Sequence, residues 1–328
     1  MSGWSGRPVL VTGAGGFIGS HLCERLLELG ADVRALVEYN SLGSWGWLDE
    51  SPACRDLEVV LGDVRDRDST NAAATGRDVV FHLAALIAIP WSYEAPAAYV
   101  ETNVVGTLNV LRAAQEADVE LVVHTSTSEV YGTARYVPID EAHPLQGQSP
   151  YAASKIGADK LAEAFHLSFG LPVATLRPFN TYGPRQSARA VIPTIVTQLL
   201  GGESVALGNL TPTRDFTYVT DTVEAFVKAG NTASAIGCTL NVGSGREIAI
   251  GDLAERIKSV IEKRAPVELD PARVRPTGSE VERLCANADE ARKLLDWEPR
   301  VSLDDGLAAT AEWIGRNLER YRVGAYTV

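Results

Sequence analysis

The chain has 328 residues, 45% hydrophobic and 22% charged, which is long and apolar enough to bury a large core as one or two domains. Its net charge of -12 excludes general nucleic-acid binding, so any phosphate has to meet a local cluster of positive groups. No apolar run is long enough to span a membrane, no signal peptide is recognisable, and the four cysteines, Cys23, Cys54, Cys238 and Cys285, lack metal-site spacing. They read as reduced packing residues, and the expectation is a cytoplasmic protein with no metal and no membrane partner.

The first element expected is the apolar run Val9-Leu10-Val11-Thr12, followed by Gly13-Ala14-Gly15-Gly16-Phe17-Ile18-Gly19 and an amphipathic helix over Ser20 to Leu29. In such a strand-turn-helix Gly13 takes the turn, Gly16 lets the backbone approach a pyrophosphate, and Gly19 lets the helix pack closely on its strand. The helix N-terminus then holds the phosphates, with Phe17 and Ile18 in its first turn. A second strand, Asp32 to Val37, ends in Glu38, whose carboxylate can accept hydrogen bonds from the adenosine ribose and would repel the extra phosphate of NADP. The expected cofactor is therefore NAD. A third strand, Leu57 to Leu61, runs into Asp63 and Val64, with Asp63 placed to meet the adenine amino group. A fourth, Asp78 to Leu83, runs into Ala84 and Ala85, small enough for close cofactor approach, and His82 reads as a packed strand residue.

Strands alternating with helices to about Arg177 imply a doubly wound parallel α/β sheet of Rossmann type, with its site beyond the carboxyl ends of the strands. The strand Leu121 to His124 delivers Thr125, Ser126, Thr127, Ser128 and Glu129 to that edge. Ser149-Pro150 reads as a helix start, with Ser as N-cap and Pro at the first helical position. Tyr151 and Lys155 then fall one turn apart on one face. A tyrosine with pKa about 10 is a poor base at neutral pH, and bringing it near 7 needs about 4 kcal/mol of preference for the phenolate. One positive charge at about 4 Å supplies about that much at a surface-like effective dielectric. Lys155 can provide it, helped by a cationic nicotinamide ring.

These motifs, with Asn103, Arg177-Pro178-Phe179-Asn180, Arg214-Asp215-Phe216 and Arg275-Pro276, make the chain resemble the extended short-chain dehydrogenase/reductase family over nearly its whole length, in the nucleotide-sugar epimerase and dehydratase branch. The resemblance implies a nucleotide-diphosphate sugar as substrate, contacted by Asn180, Arg214 and Arg275, and a homodimer built on helices near Pro96 to Ala117 and Tyr151 to Phe169. Two arginines suit a diphosphate because the guanidinium fork is planar and always charged. Thr127-Ser128-Glu129 resembles the pattern of GDP-mannose 4,6-dehydratases and of UDP-glucuronate decarboxylases, whereas Ser128 departs from the Asp of dTDP-glucose dehydratases. Glu38-Tyr39-Asn40-Ser41, Ser44 to Asp49 and Leu86 to Pro90 look most like the 4,6-dehydratases of legionaminic acid biosynthesis, which points to an N-acetylated amino sugar. The roles implied are Tyr151 as base at the sugar 4-hydroxyl, Thr127 as its hydrogen-bonding partner, and Glu129, with Ser128 as a relay, in an elimination. A 4-epimerase, a decarboxylase and a non-catalytic NAD-binding sensor are the readings left open. The expected division is a cofactor domain over 1–178 and 215–247 and a substrate lobe over 179–214 and 248–328. Trp45, Trp47 and the loop Gly208 to Thr213 are candidate lids, with surface packing the expected role of the two indoles.

Overall fold

The five strands expected from the apolar runs are joined by two more in one seven-stranded parallel sheet, in a computed structural model that describes residues 3–202, 204–321 and 323, with the side chain of Cys54 outside the description. Its strands are β1 (Pro8–Thr12), β2 (Asp32–Glu38), β3 (Glu58–Gly62), β4 (Val79–His82), β5 (Leu121–Thr125), β6 (Val173–Pro178) and, after four short strands, β11 (Thr239–Val242). The order β11-β6-β5-β4-β1-β2-β3 places the reversal between β1 and β4, so the crevice above the carboxyl ends of those two strands is where a ligand belongs. All of β4 and β6 is buried, as a parallel strand covered on both faces requires.

Helices close both faces. On one lie α1 (Phe17–Glu28), α8 (Val219–Ala229) and α10 (Asp289–Leu295), in a core with Leu22, Leu26, Phe226 and Trp297. Leu22 and Leu26, one turn apart and sealed from solvent, each contribute about 1.5–3 kcal/mol by burial. On the other face lie α2 (Arg67–Ala74), α5 (Gly106–Glu116) and α6 (Pro150–Phe169), packed through Val110, Leu111, Ala162 and Phe165. Between β4 and α5 the chain forms α3 (Ile89–Glu94), α4 (Pro96–Tyr99) and a π-helical turn, Val100–Val105, that runs directly into α5. The single helix expected from Pro96 to Ala117 thus carries an irregularity at its centre.

A separate core of Ile192, Ile195, Leu253, Ile257 and Ile314 is built by α7 (Val191–Gly201), α9 (Ile250–Val260) and α11 (Leu303–Arg316). Short pairs rim it: β7 (Thr181–Tyr182) with β10 (Thr217–Tyr218), β8 (Val205–Leu207) with β13 (Val267–Leu269), and β9 (Thr213–Asp215) with β12 (Glu247–Ala249). Asp215 ties β9 to its surroundings by accepting the backbone amides of Ser244, Gly245 and Ala286. At the free edge of the large sheet, the Asn241 amide of β11 donates to Glu141 at 2.7 Å and its side-chain nitrogen to the Ile139 carbonyl at 3.0 Å.

The strand bounds differ from expectation by a single residue, and the start of the first helix by three. α1 begins at Phe17 and not at Ser20, because Gly16 is extended and caps the helix while Phe17 already turns. By contrast Ser149 accepts the Ala152 amide as N-cap of α6, with Pro150 at the first position.

Candidate active site

The turn between β1 and α1 is a cradle with no room for a side chain at Gly13 or Gly19. Gly13 has a left-handed φ of +67°, and a Cβ there would stand 2.8 Å from the Ala84 nitrogen; one on Gly19 would stand 2.2 Å from the Gly13 oxygen. No side chain caps α1 and its first turn carries no acid, which leaves the first-turn amides of Phe17 and Ile18 to an anion. Leu83 and Ala84 both donate their amides to Thr12 Oγ1 at 3.1 Å, fixing the backbone after β4 beside this turn. His82 bridges Thr12 and Thr107 in full burial, which pushes its pKa well below the ordinary value, so it is a neutral packing residue. The cradle fits the pyrophosphate of a dinucleotide.

At the ends of β2 and β3, Glu38 is exposed and stands 3.9 Å from the Arg65 guanidinium, while Asp63 takes Arg65 Nε at 2.9 and 3.0 Å. That pairing holds the Asp63 carboxyl below its usual range. Val64 is buried beside them and Ala85 follows Ala84 in the loop after β4. Arg65 is absent from the sequence-level site. The signal was its place two residues after Asp63, on the same polar turn.

Beyond β5, Thr127 caps a single 3-10 turn, Ser128–Tyr131, its hydroxyl accepting the Glu129 amide at 3.2 Å. The Thr127 side chain also faces the Tyr151 phenol and favours its ionisation. Ser128 and Glu129 are both buried. On α6, Lys155 Nζ donates to the Thr125 carbonyl at 2.6 Å, and burial pulls its pKa down to about 8 with Asp159 opposing. Burial likewise holds Tyr151 above its ordinary value, and the Glu129 and Asp159 carboxylates push it the same way. Sequence arithmetic gave Lys155 the task of lowering the Tyr151 pKa; in the folded chain desolvation is the largest influence and the neighbouring carboxylates add to it.

The wall opposite Tyr151 is clamped. Asn103, in the π-helical turn, accepts the Leu86 amide at 2.8 Å and donates to the Leu86 carbonyl and to Ser154 Oγ, each at 2.9 Å. Tyr99 donates to the Ala88 carbonyl and meets Tyr151 edge-on with ring centres 6.2 Å apart. Behind α6, Asp159 gathers His124, Ser126 and Arg177.

On the side of the smaller core, Arg214 in β9 is buried and donates to the Thr213 carbonyl at 2.9 Å. Burial lowers its pKa and the negative charge of Glu129 is the first opposing influence, so the site's carboxylate and this guanidinium are electrostatic neighbours. Arg214 and Arg275 converge on one oxygen of Glu280, at 3.5 and 3.7 Å, and Arg275 Nη1 is buried without a hydrogen bond. Asn180, just past β6, has a buried side-chain oxygen that is likewise unpartnered. Glu280 was not foreseen, although it lies five residues after Arg275. Trp47 packs edge-on against Trp313 of α11 at 5.3 Å, with its amide donating to the Gly15 carbonyl at 3.0 Å, while Trp45 packs against the large core. Among the described residues no cluster of His, Cys, Asp or Glu is arranged to hold a metal, and no helix is long and apolar enough to cross a membrane.

A Rossmann sheet with a glycine cradle at its switch point and a Tyr-x-x-x-Lys helix beside it defines a dinucleotide-binding fold of the short-chain dehydrogenase/reductase kind. Residues 10–310 match the family model described as GDP-mannose 4,6 dehydratase. The UDP-glucose 4-epimerase of Mycolicibacterium smegmatis is 36% identical over 310 residues, 93% of this chain and 97% of that one. Among solved structures, the dTDP-glucose 4,6-dehydratase DesIV from Streptomyces venezuelae, with NAD bound, superposes with TM-score 0.89 at 32% identity over 96% of this chain and 98% of that one. The epimerase Mth375 from Methanothermobacter thermautotrophicus does so with TM-score 0.89 at 33% identity, over 97% and 94%. The chain belongs to the extended short-chain dehydrogenase/reductase family of nucleotide-sugar dehydratases and epimerases.

Proposed function

We propose that this protein is a nucleotide-sugar 4,6-dehydratase that converts a nucleoside-diphosphate N-acetylglucosamine to the 4-keto-6-deoxy sugar. The observation that carries the proposal is the position of Glu129: a buried carboxylate that acts electrostatically on Tyr151 on one side and Arg214 on the other. A sugar whose diphosphate rests on Arg214, Arg275 and Asn180, and whose 4-hydroxyl reaches Tyr151, would lie across Glu129. NAD supplies the acceptor, and later the donor, of one hydride.

Tyr151 takes the 4-hydroxyl proton, with Thr127 holding the oxygen and Lys155 the local positive charge. The resulting 4-ketone acidifies the C5 proton, which Glu129 removes. Hydroxide departs from C6 with a proton relayed by Glu129 or Ser128, leaving a C5–C6 double bond. Return of hydride to C6 and a proton to C5 completes a sequence whose only net change is loss of one water. Gly13, Gly16, Phe17, Ile18, Gly19, Glu38, Asp63, Val64, Leu83, Ala84 and Ala85 form the cofactor surface in this reading. Residues 1–178 and 215–247 serve as its domain, and 179–214 with 248–328 serve as the substrate lobe. The working form is a cytoplasmic homodimer.

A 4-epimerase is the second reading, favoured by the identity to the mycobacterial epimerase. Incubation of the holoenzyme with a panel of nucleotide sugars, followed by mass spectrometry, separates the readings. Loss of one water is expected; unchanged mass with inverted C4 would replace the dehydratase with the epimerase, and release of carbon dioxide from a UDP-uronic acid would replace it with a decarboxylase. Glu129→Gln should slow water loss by about 10²–10⁴-fold while C4 oxidation persists. Full dehydration turnover in that variant would remove Glu129 from the role.

A further inference from the structure

Behind the proposed redox pair lies a buried polar cluster to which that chemistry assigns no part. Tyr151, Lys155 and Asp159 follow one another at four-residue intervals on α6, so they share one face, and Asp159 is 5% exposed. Its carboxylate takes four donors from two strands: His124 Nε2 at 3.2 Å and Ser126 Oγ at 2.8 Å from β5 and the residue after it, and Arg177 Nε and Nη2 at 3.1 and 3.0 Å from β6. Arg177 is held in turn by the Tyr131 hydroxyl, and that hydroxyl donates to Asn241 of β11. The bonds to His124 and Ser126 straddle Thr125, whose carbonyl is the acceptor for Lys155, and Ser126 immediately precedes Thr127.

We propose that Asp159 is a positioning residue for the redox pair: by anchoring His124 and Ser126 to the helix that carries Tyr151 and Lys155, it sets the distance between that helix and the Thr125–Thr127 segment. The proposal rests on the reading of Tyr151 and Lys155 as the redox pair. The physical ground is that Lys155 meets the strand edge through its 2.6 Å bond to the Thr125 carbonyl, which does not survive an outward slide of the edge by about 1 Å. A carboxylate with four donors, two of them from a guanidinium, is a stiff fixture in a site without water-exposed alternatives. The groups facing Lys155 and Tyr151 are Asp159 on α6 itself, His82 on β4, His124 on β5, Tyr99 on α4 and Glu129 on the turn after β5, with Arg177 on β6 reaching them only through Asp159. Asp159 is the one carboxylate among them that touches both β5 and β6.

The test compares wild-type holoenzyme with Asp159→Asn, Ser126→Ala and Tyr151→Phe, each checked for NAD content and thermal midpoint. The tyrosinate absorbance that Tyr151→Phe removes is titrated against pH, a readout that needs no sugar. Asp159→Asn should move that midpoint to lower pH by about one unit, as removal of a nearby negative charge requires. It should also lower kcat at least tenfold with little change in KM. Ser126→Ala should lower kcat without moving the midpoint to lower pH, because it breaks the tie and keeps the charge. An unmoved midpoint with wild-type kcat in Asp159→Asn overturns the proposal. If Asp159→Asn does not fold, Ser126→Ala decides, with reduced kcat supporting the proposal and wild-type kcat overturning it. Turnover that survives Tyr151→Phe would instead remove the redox reading, and the Asp159 role with it.

Discussion

Replacing Lys155 by Met should make the protein more stable near neutral pH while abolishing turnover. The ammonium is 3% exposed, and burial brings its pKa from 10.5 to about 8. At about 1.4 kcal/mol per pKa unit, holding the charge in the folded state costs about 3 kcal/mol at pH 7. Met keeps the length of the side chain and removes the charge, but leaves the Thr125 carbonyl without its donor, a loss of about 1–3 kcal/mol. The net expectation is about 1 kcal/mol of stabilisation at pH 7, or a Tm increase of about 1–2 °C for a chain of this length. Below pH 8 folded and unfolded chains both carry the proton and the cost is complete. Between about pH 8 and 10.5 the unfolded chain binds more protons, so wild-type stability gains with rising pH. Above 10.5 both are neutral, and only the lost hydrogen bond separates the two proteins. Thermal unfolding with saturating NAD, from pH 6.5 to 10.5, should therefore show Lys155→Met ahead at the acid end and behind at the alkaline end. A difference that does not change with pH would refute the claim that desolvation of this ammonium dominates.

Two further outcomes follow from the packing. Gly19→Ala would drive a Cβ to 2.2 Å from the Gly13 carbonyl, a backbone atom that cannot rotate away, so destabilisation of about 1–3 kcal/mol and purification with little bound NAD are expected; full NAD content would contradict the close approach. Arg214→Gln removes a buried guanidinium facing Glu129 and Glu280 and should raise KM for the nucleotide sugar about 10–100-fold while NAD content stays normal, and an unchanged KM would place the diphosphate elsewhere.

Local chemistry made much of this architecture readable. The glycine spacing announced the cradle because each small residue answers a backbone contact with nowhere to move, and Ser149-Pro150 announced α6 because a cap and a fixed φ are properties of two adjacent residues. What depends on distant packing was not readable. The π-helical turn at Asn103 leaves no compositional trace, and the two-residue and three-residue strands around the smaller core are too short for any period to show. The Asp159 cluster joins α6, β5 and β6, so only the fold reveals it, although the step of four from Lys155 already placed Asp159 on the right face. The phenol of Tyr151 shows the limit of pairwise charge arithmetic: one cation at a fixed distance was counted, and the desolvation that overrides it was not.

At the far edge of the large sheet, β11 spends its Asn241 amide on Glu141, and the neighbouring segment is knitted down by Ile139 donating to Cys285 and Asn287 donating to Ile139. An uncovered edge strand is a template on which a second chain, a nascent polypeptide or a fibril can grow. Here a carboxylate occupies part of the donor row that such a visitor would use. Removing it, as in Glu141→Ala, would expose that amide and turn a quiet border of the molecule into a nucleation point for aggregation during folding.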